Sequence, residues 1–231
     1  MRLNRRRGVL RTLAGICAMV PVGVFAGGVV GALGVVSAPA SLAAQETRLL
    51  LISDDGTRDA VRRFLDAARV RGTPTEPLVS RALEGVAFRA TPKEIERALA
   101  ALEKRLKKSR ELLGANSTVD ELAAGADALA HGAPESALRD MRRIAPGRRL
   151  TVELGVLTEL LAKDIAPKTA ATMVLRLMAR GASGTQLTEL NAAVQKDVAL
   201  GVKPVSALEL RGRGVMSLLP PAGSVVTAQK R

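Results

Sequence analysis

The chain has 231 residues, 47% of them apolar, and a formal net charge of +13. It holds no Trp or Tyr, three phenylalanines (Phe25, Phe64 and Phe88), one cysteine, Cys17, and one histidine, His131. These counts exclude an intrachain disulfide, a thiolate zinc site and any metal centre that needs two imidazoles. The apolar content comes chiefly from Ala, Leu, Val and Gly. Ala and Leu are strong helix formers, whereas strands favour aromatic and β-branched residues, so composition alone points to helix.

The N-terminus carries Arg2, Arg5, Arg6, Arg7 and Arg11 with no acid among them, and residues 12–45 carry no charge at all. A basic start, an apolar run and a small-residue exit at Ser41-Leu42-Ala43 form a secretory signal, with Ala38-Pro39-Ala40 as a second cleavage candidate. The run from Leu13 to Val36 is also long enough to span ~30 Å of hydrocarbon, so a retained anchor with its arginines on the cytoplasmic side is the alternative. Arg6-Arg7-Gly8-Val9-Leu10-Arg11 resembles a twin-arginine signal without the usual hydroxyl residue before the pair, and equally reads as an ordinary basic n-region. Gly23, Gly27 and Gly31 share one helix face, a pattern seen in packed membrane helices and also expected from abundant glycine. Ile16 breaks a lipoprotein box before Cys17. Cleavage after Ala43 removes five arginines and no acid, lowering the net charge from +13 to +8.

Beyond this segment the helix signals follow in chain order. Leu49 to Ile52 is either a short helix or an extended lead-in. The pattern then predicts helices at 57–70, 74–87, 92–113, 119–130, 134–144, 151–164, 167–180, 184–200 and 204–213. Thr73-Pro74-Thr75-Glu76 and Thr91-Pro92-Lys93-Glu94 each read as a capping box with proline at the first helical position. Thr118 with Glu121 and Ser183 with Gln186 repeat the box. Pro134, Pro167 and Pro204 mark further starts. Ile95, Leu99, Leu102, Leu106 and Leu113, with Ser109 at the missing step, form one apolar seam. Leu187, Leu190, Val194 and Val198 form a second, and Leu150, Leu154, Leu157 and Leu161 a third. The turns recur at irregular spacing, which disfavours a fixed-period solenoid and predicts irregular stacked αα-hairpins or a helical bundle. The expected organisation is a signal or anchor at 1–43, an all-α domain at 44–213 and a loose tail at 214–231.

Leu78-Val79-Ser80-Arg81-Ala82-Leu83-Glu84-Gly85, followed by Ala90-Thr91-Pro92, resembles a stretch in uncharacterised exported α-helical proteins of GC-rich bacteria. Gly125-Ala126-Asp127-Ala128-Leu129 is similar to another such stretch. The resemblance implies export and helicity and carries no activity.

Residues with catalytic potential are few. His131 falls in a helix-ending loop beside Gly132, where a cation favours the helix dipole. Glu135-Ser136 matches the Glu-Ser pair of exported all-α lytic transglycosylases. It continues, however, into Ala137-Leu138-Arg139 with no Tyr or Trp to stack on a sugar, and an acid is expected in a first helical turn. Asp54-Asp55-Gly56 with Asp59 has part of a calcium loop, but Arg62 stands where the bidentate glutamate belongs. No phosphate-cradling loop or dinucleotide fingerprint is present.

Two basic clusters remain. Lys104, Arg105, Lys107, Lys108 and Arg110 read as a solvated face with Glu103–Lys107 and Lys107–Glu111 pairs. Arg139, Arg142, Arg143, Arg148 and Arg149, offset only by Asp140, are the candidate anion-binding site for lipid, phosphate-bearing glycan or an acidic protein. Export and the lack of stacking aromatics argue against nucleic acid. The expectation is a non-enzymatic envelope scaffold or interaction protein, with a binder of anionic surfaces as the alternative and a carboxylate hydrolase third. Its expected partners are an envelope protein and an anionic membrane surface, and no cofactor or metal is expected.

Overall fold

A computed structural model describes residues 38–220, with side chains from Ala44 onward. The apolar segment 13–36, Cys17 and the chain after Pro220 lie outside the described residues. Within them ten helices follow one another and no strand occurs: α1 (Ala38–Leu49), α2 (Asp55–Val70), α3 (Glu76–Ala87), α4 (Pro92–Leu113), α5 (Val119–Ala130), α6 (Glu135–Ile144), α7 (Thr151–Leu161), α8 (Pro167–Ala179), α9 (Gly184–Ala199) and α10 (Pro204–Leu218). The chain is all-α, and no helix among the described residues is long and apolar enough to cross a membrane.

The capping chemistry sets most boundaries. Thr91 and Glu94, Thr118 and Glu121, and Ser183 and Gln186 each make both hydrogen bonds of the box. Gly132, at φ 86°, supplies the left-handed residue that turns the chain from α5 towards α6. The three seams are buried as their spacing requires, Val198 being packed against the core at its edge.

Three local expectations need correction. The Thr73–Glu76 box does not form: α3 starts at Glu76, whose carboxylate is taken by Arg48 and Gln45 of α1. The Thr73 hydroxyl donates instead to Glu103, so tertiary partners outcompete the local cap. Glu111 pairs with Lys108 at 3.4 Å rather than with Lys107. Finally, α10 continues to Leu218, five residues past the expected end at 213. Gly212 and Gly214 weaken the helix locally, but Gly212 sits where an added Cβ would strike Met173, and Leu219 is buried. Its carbonyl accepts from Arg180 at 2.7 Å.

Helix α4 packs on α5, α5 on α7, α7 on α9 and α9 on α10, while α6 and α8 pair beside this row, α2 and α3 pack on α4, and α1 packs on α3. The interior falls into two apolar clusters. The first is built from α1 to α3 with Ile95, Leu99, Leu102, Leu106, Leu122 and Ala126; the second runs from Leu112 and Leu113 through α6 to α10. Helices α4 and α5 therefore contribute to both.

The α4–α5 crossing is close because two small residues meet there. A Cβ on Gly125 would lie against the Ser109 hydroxyl, 3.1 Å from Leu113 Cδ1 and 3.2 Å from Ser109 Cβ. Ser109 is fully buried and its hydroxyl has no partner. Gly125→Ala is expected to cost about 1–3 kcal/mol by overpacking. Ser109→Ala, which removes an unsatisfied hydroxyl, is expected to be neutral or stabilising. Urea unfolding of both variants and the double variant checks this. The double variant should lose less than the sum; strictly additive losses would contradict the close approach.

Candidate functional site

The predicted arginine cluster separates into structural and free residues. Arg142 is a tie inside the fold: its Nη2 donates to Glu121 Oε1 at 2.6 Å, its Nε to the Leu113 carbonyl at 2.9 Å and its Nη1 to the Arg148 carbonyl at 2.8 Å. Glu121, only 3% exposed, also accepts the Leu150 amide on Oε1 at 2.9 Å and the Thr118 amide on Oε2 at 3.0 Å. Arg148 reaches the buried Glu153 at 3.4 Å, and Arg143 pairs with Asp140 at 2.9 Å. Arg139 and Arg149 are exposed and carry no described partner. Arg142 must be removed from the candidate anion site, because every nitrogen of its guanidinium is already donating. Sequence reading grouped it with its neighbours since spacing alone does not reveal that α5 supplies a buried carboxylate.

The same pairing holds for each buried acid among the described residues. Arg71 clamps Glu103 with bonds of 2.7 and 2.9 Å, helped by Thr73 and by Lys107 at 3.1 Å. Arg211 clamps Asp197 with two bonds of 2.7 Å. The Arg71 hydrogen bonds hold the Glu103 carboxyl at about 2 against the opposing effect of burial. Burial alone would raise Glu121, yet the Thr118 and Leu150 amides and Arg142 bring it below the ordinary carboxylate range. Carboxylates held ionised in this way are hydrogen-bond acceptors and poor proton donors.

The other singled-out residues take local roles. His131 ends α5, and its Nδ1–H donates to the Asp127 carbonyl at 2.9 Å. Glu135 lies exposed in the first turn of α6, 3.2 Å from Lys108. Asp54 caps α2 through the Thr57 amide at 2.7 Å. No group of three or more His, Cys, Asp or Glu among the described residues is arranged to hold a metal ion.

Two grooves are open to a ligand. Between α7 and α9, a cleft of about 480 Å³ is lined by Val152, Gly155, Glu159, Thr188, Asn191 and Gln195. The Asn191 and Gln195 amides both donate to Glu159, which leaves Asn191 Oδ1 buried without a partner. Between α2 and α4 lies a wider groove of about 570 Å³, with Ala60, Phe64 and Ala100 as its apolar part and Arg63, Lys93, Glu96 and Arg97 around them. Arg58, Arg62 and Arg69 of α2 all pair with acids, but Arg63 has no hydrogen bond or ion pair among the described residues. Lys93 and Arg97 have none either. The Arg71 guanidinium stands 6.0 Å from the Phe64 ring centroid. The sequence does not mark these residues as one site, although Lys93 and Arg97, like charges four apart in the first turns of α4, break two local rules at once.

In comparisons with family profiles, curated proteins and solved structures, nothing matches this chain.

Two measurements follow from this geometry. Arg142→Ala should cost about 3–5 kcal/mol, the range for breaking a buried ion pair, whereas Arg139→Ala should stay within about 0.5 kcal/mol. Equal urea midpoints for the two variants would contradict the assignment of Arg142 to the fold. Because the folded Glu103 pKa lies below its unfolded value, the stability it contributes is present above about pH 4.5 and is lost as pH falls towards 2. With Arg71 half-exposed to screening, this amounts to on the order of 1–2 kcal/mol. Glu103→Gln should therefore flatten the acid limb of a stability–pH profile between those values; an unchanged limb would contradict it.

Proposed function

We propose that this chain is an exported α-helical binding module of the bacterial envelope, acting by non-covalent contact rather than by chemistry on a substrate. One contrast supports this reading most directly. The buried carboxylates are saturated by guanidinium and amide donors, while the cations around the α2–α4 groove are left unpaired in the open. A catalytic acid needs a carboxyl poised to exchange a proton near neutral pH. Glu103, Glu121 and Asp197 are shifted the other way, while Asp127, the one carboxyl among the described residues that burial leaves raised, faces the opposing charges of His131, Arg105 and Arg81.

Export is supported by the arginine-rich start, the uncharged run and the small residues at Ser41 and Ala43. Within α1, Gln45 bonds Glu76 and Thr75, Glu46 bonds Arg62, and Arg48 bonds Glu76 and Ser80. A chain beginning at Ala44 keeps all of them. The runner-up within export is a retained anchor holding the helical domain outside the cytoplasm, with an envelope protein as partner.

Purification from the native envelope, N-terminal sequencing and carbonate washing of the membranes test the proposal. The expected result is an N-terminus at Ala44 in the soluble fraction. Protein with an intact N-terminus in the cytoplasm would overturn export, and carbonate-resistant protein with its arginines intact would replace cleavage by anchoring.

A further inference from the structure

We propose that the groove between α2 and α4 is a headgroup site for an anionic phospholipid, binding its phosphate through Arg63, Lys93 and Arg97. This deepens the binding reading above and rests on it.

The inference starts from what these residues cost the fold. Lys93 occupies the first turn of α4, where the helix dipole disfavours a cation, and Arg97 follows it four residues later as a like charge on the same face. Neither forms a direct ion pair, Arg97 being relieved only through its field on Glu94, whereas Lys107 and Lys108 farther along the helix have found acids. From the facing helix Arg63 brings a third cation into the same space. The other arginines of α2 are matched by Asp55, Asp59, Glu46 and Asp66, whereas Arg63 forms no ion pair although Asp59 and Asp66 lie one turn away on the same helix. Local rules broken together, without an internal gain, mark a site shaped for something outside the chain.

The lining then selects the ligand. Three cations stand against one carboxylate, Glu96, an excess that matches a phosphate carrying between one and two negative charges. Beside them Ala60, Ala100 and the Phe64 ring offer an apolar surface, which free phosphate does not use and the glycerol and acyl stems of a lipid do. The groove is shallow and open to solvent, so a headgroup would rest against it with one face exposed. Arg71, held by Glu103, stands 6.0 Å from the Phe64 ring centroid. A single aromatic side chain makes a poor platform for successive bases, which separates this groove from a single-stranded nucleic-acid channel.

The test uses the full chain reconstituted in phosphatidylcholine nanodiscs, so that any contribution of the N-terminal segment is common to all variants. Isothermal titration is carried out with soluble dihexanoyl phosphatidic acid, dihexanoyl phosphatidylcholine and inorganic phosphate. The phosphatidic acid should bind at least about tenfold more tightly than either control, and more weakly as salt is raised. The double variant Arg63→Glu with Arg97→Glu should lose this binding at least about tenfold, with an unchanged far-UV circular dichroism spectrum. The control Lys163→Glu with Lys168→Glu reverses two exposed lysines outside the groove and should change binding less than about twofold. Equal losses in both double variants would reduce the binding to general attraction and overturn the site. Equal affinity for inorganic phosphate would overturn the lipid as its occupant. Absence of binding to all three probes would overturn the inference alone, because the envelope location and non-catalytic character of the chain are tested separately by fractionation and N-terminal sequencing.

Discussion

The arrangement of the helices depends on a single carboxylate. Glu121 occupies the third position of α5, where its Oε2 closes a capping box on Thr118. That use leaves Oε1 free to accept the Leu150 amide at the start of α7 and the Arg142 guanidinium from α6. Arg142 in turn holds the last carbonyl of α4 and the loop before α7. Three helix ends, those of α4, α5 and α7, are thereby satisfied at one place, each of which would otherwise present orphaned backbone groups to the interior. The tie lies where α4 and α5 pass from the first apolar cluster to the second, so it fixes how the two halves of the core meet.

The same principle governs the rest of the interior charge. A strongly basic chain has many arginines to spend, and it spends Arg71, Arg142, Arg148 and Arg211 on the acids it buries. A buried ion pair of this kind adds little net stability over a well-packed apolar pair, but losing either partner is costly because the other is stranded. The pairs therefore set register between neighbouring helices more than they add to the total. What remains on the surface is an uneven distribution. Arg58, Arg62 and Arg69 are neutralised by nearby acids, whereas Arg63, Lys93 and Arg97 are not, and this unevenness separates a binding groove from an ordinary solvated helix face.

The helices were legible in the sequence because their signals are local. Thr91, Thr118 and Ser183 each carry their partner three residues on, and the seam from Ile95 to Leu113 repeats at helical spacing with Ser109 in step. The part that failed was non-local. Glu76 looked like the third residue of a box and became the partner of Arg48; Arg142 looked like one of five surface arginines and became the partner of a carboxylate 21 residues away. Helix α1 was hidden because its Ala- and Ser-rich start also reads as the exit of a signal segment. The groove on α2 and α4 was missed for a related reason. Its residues come from two helices, and only their packing shows that three cations share one space.

Native-state hydrogen exchange of the Thr118 and Leu150 amides tests the role of Glu121 most directly. Both belong to residues that flank helix starts, positions that ordinarily fray and exchange by local opening. If the carboxylate ties α5, α6 and α7 together, both amides exchange only with global unfolding, in step with core amides such as that of Leu154. Rapid exchange of these two amides through local fraying, while the Leu154 amide stays protected, would contradict it.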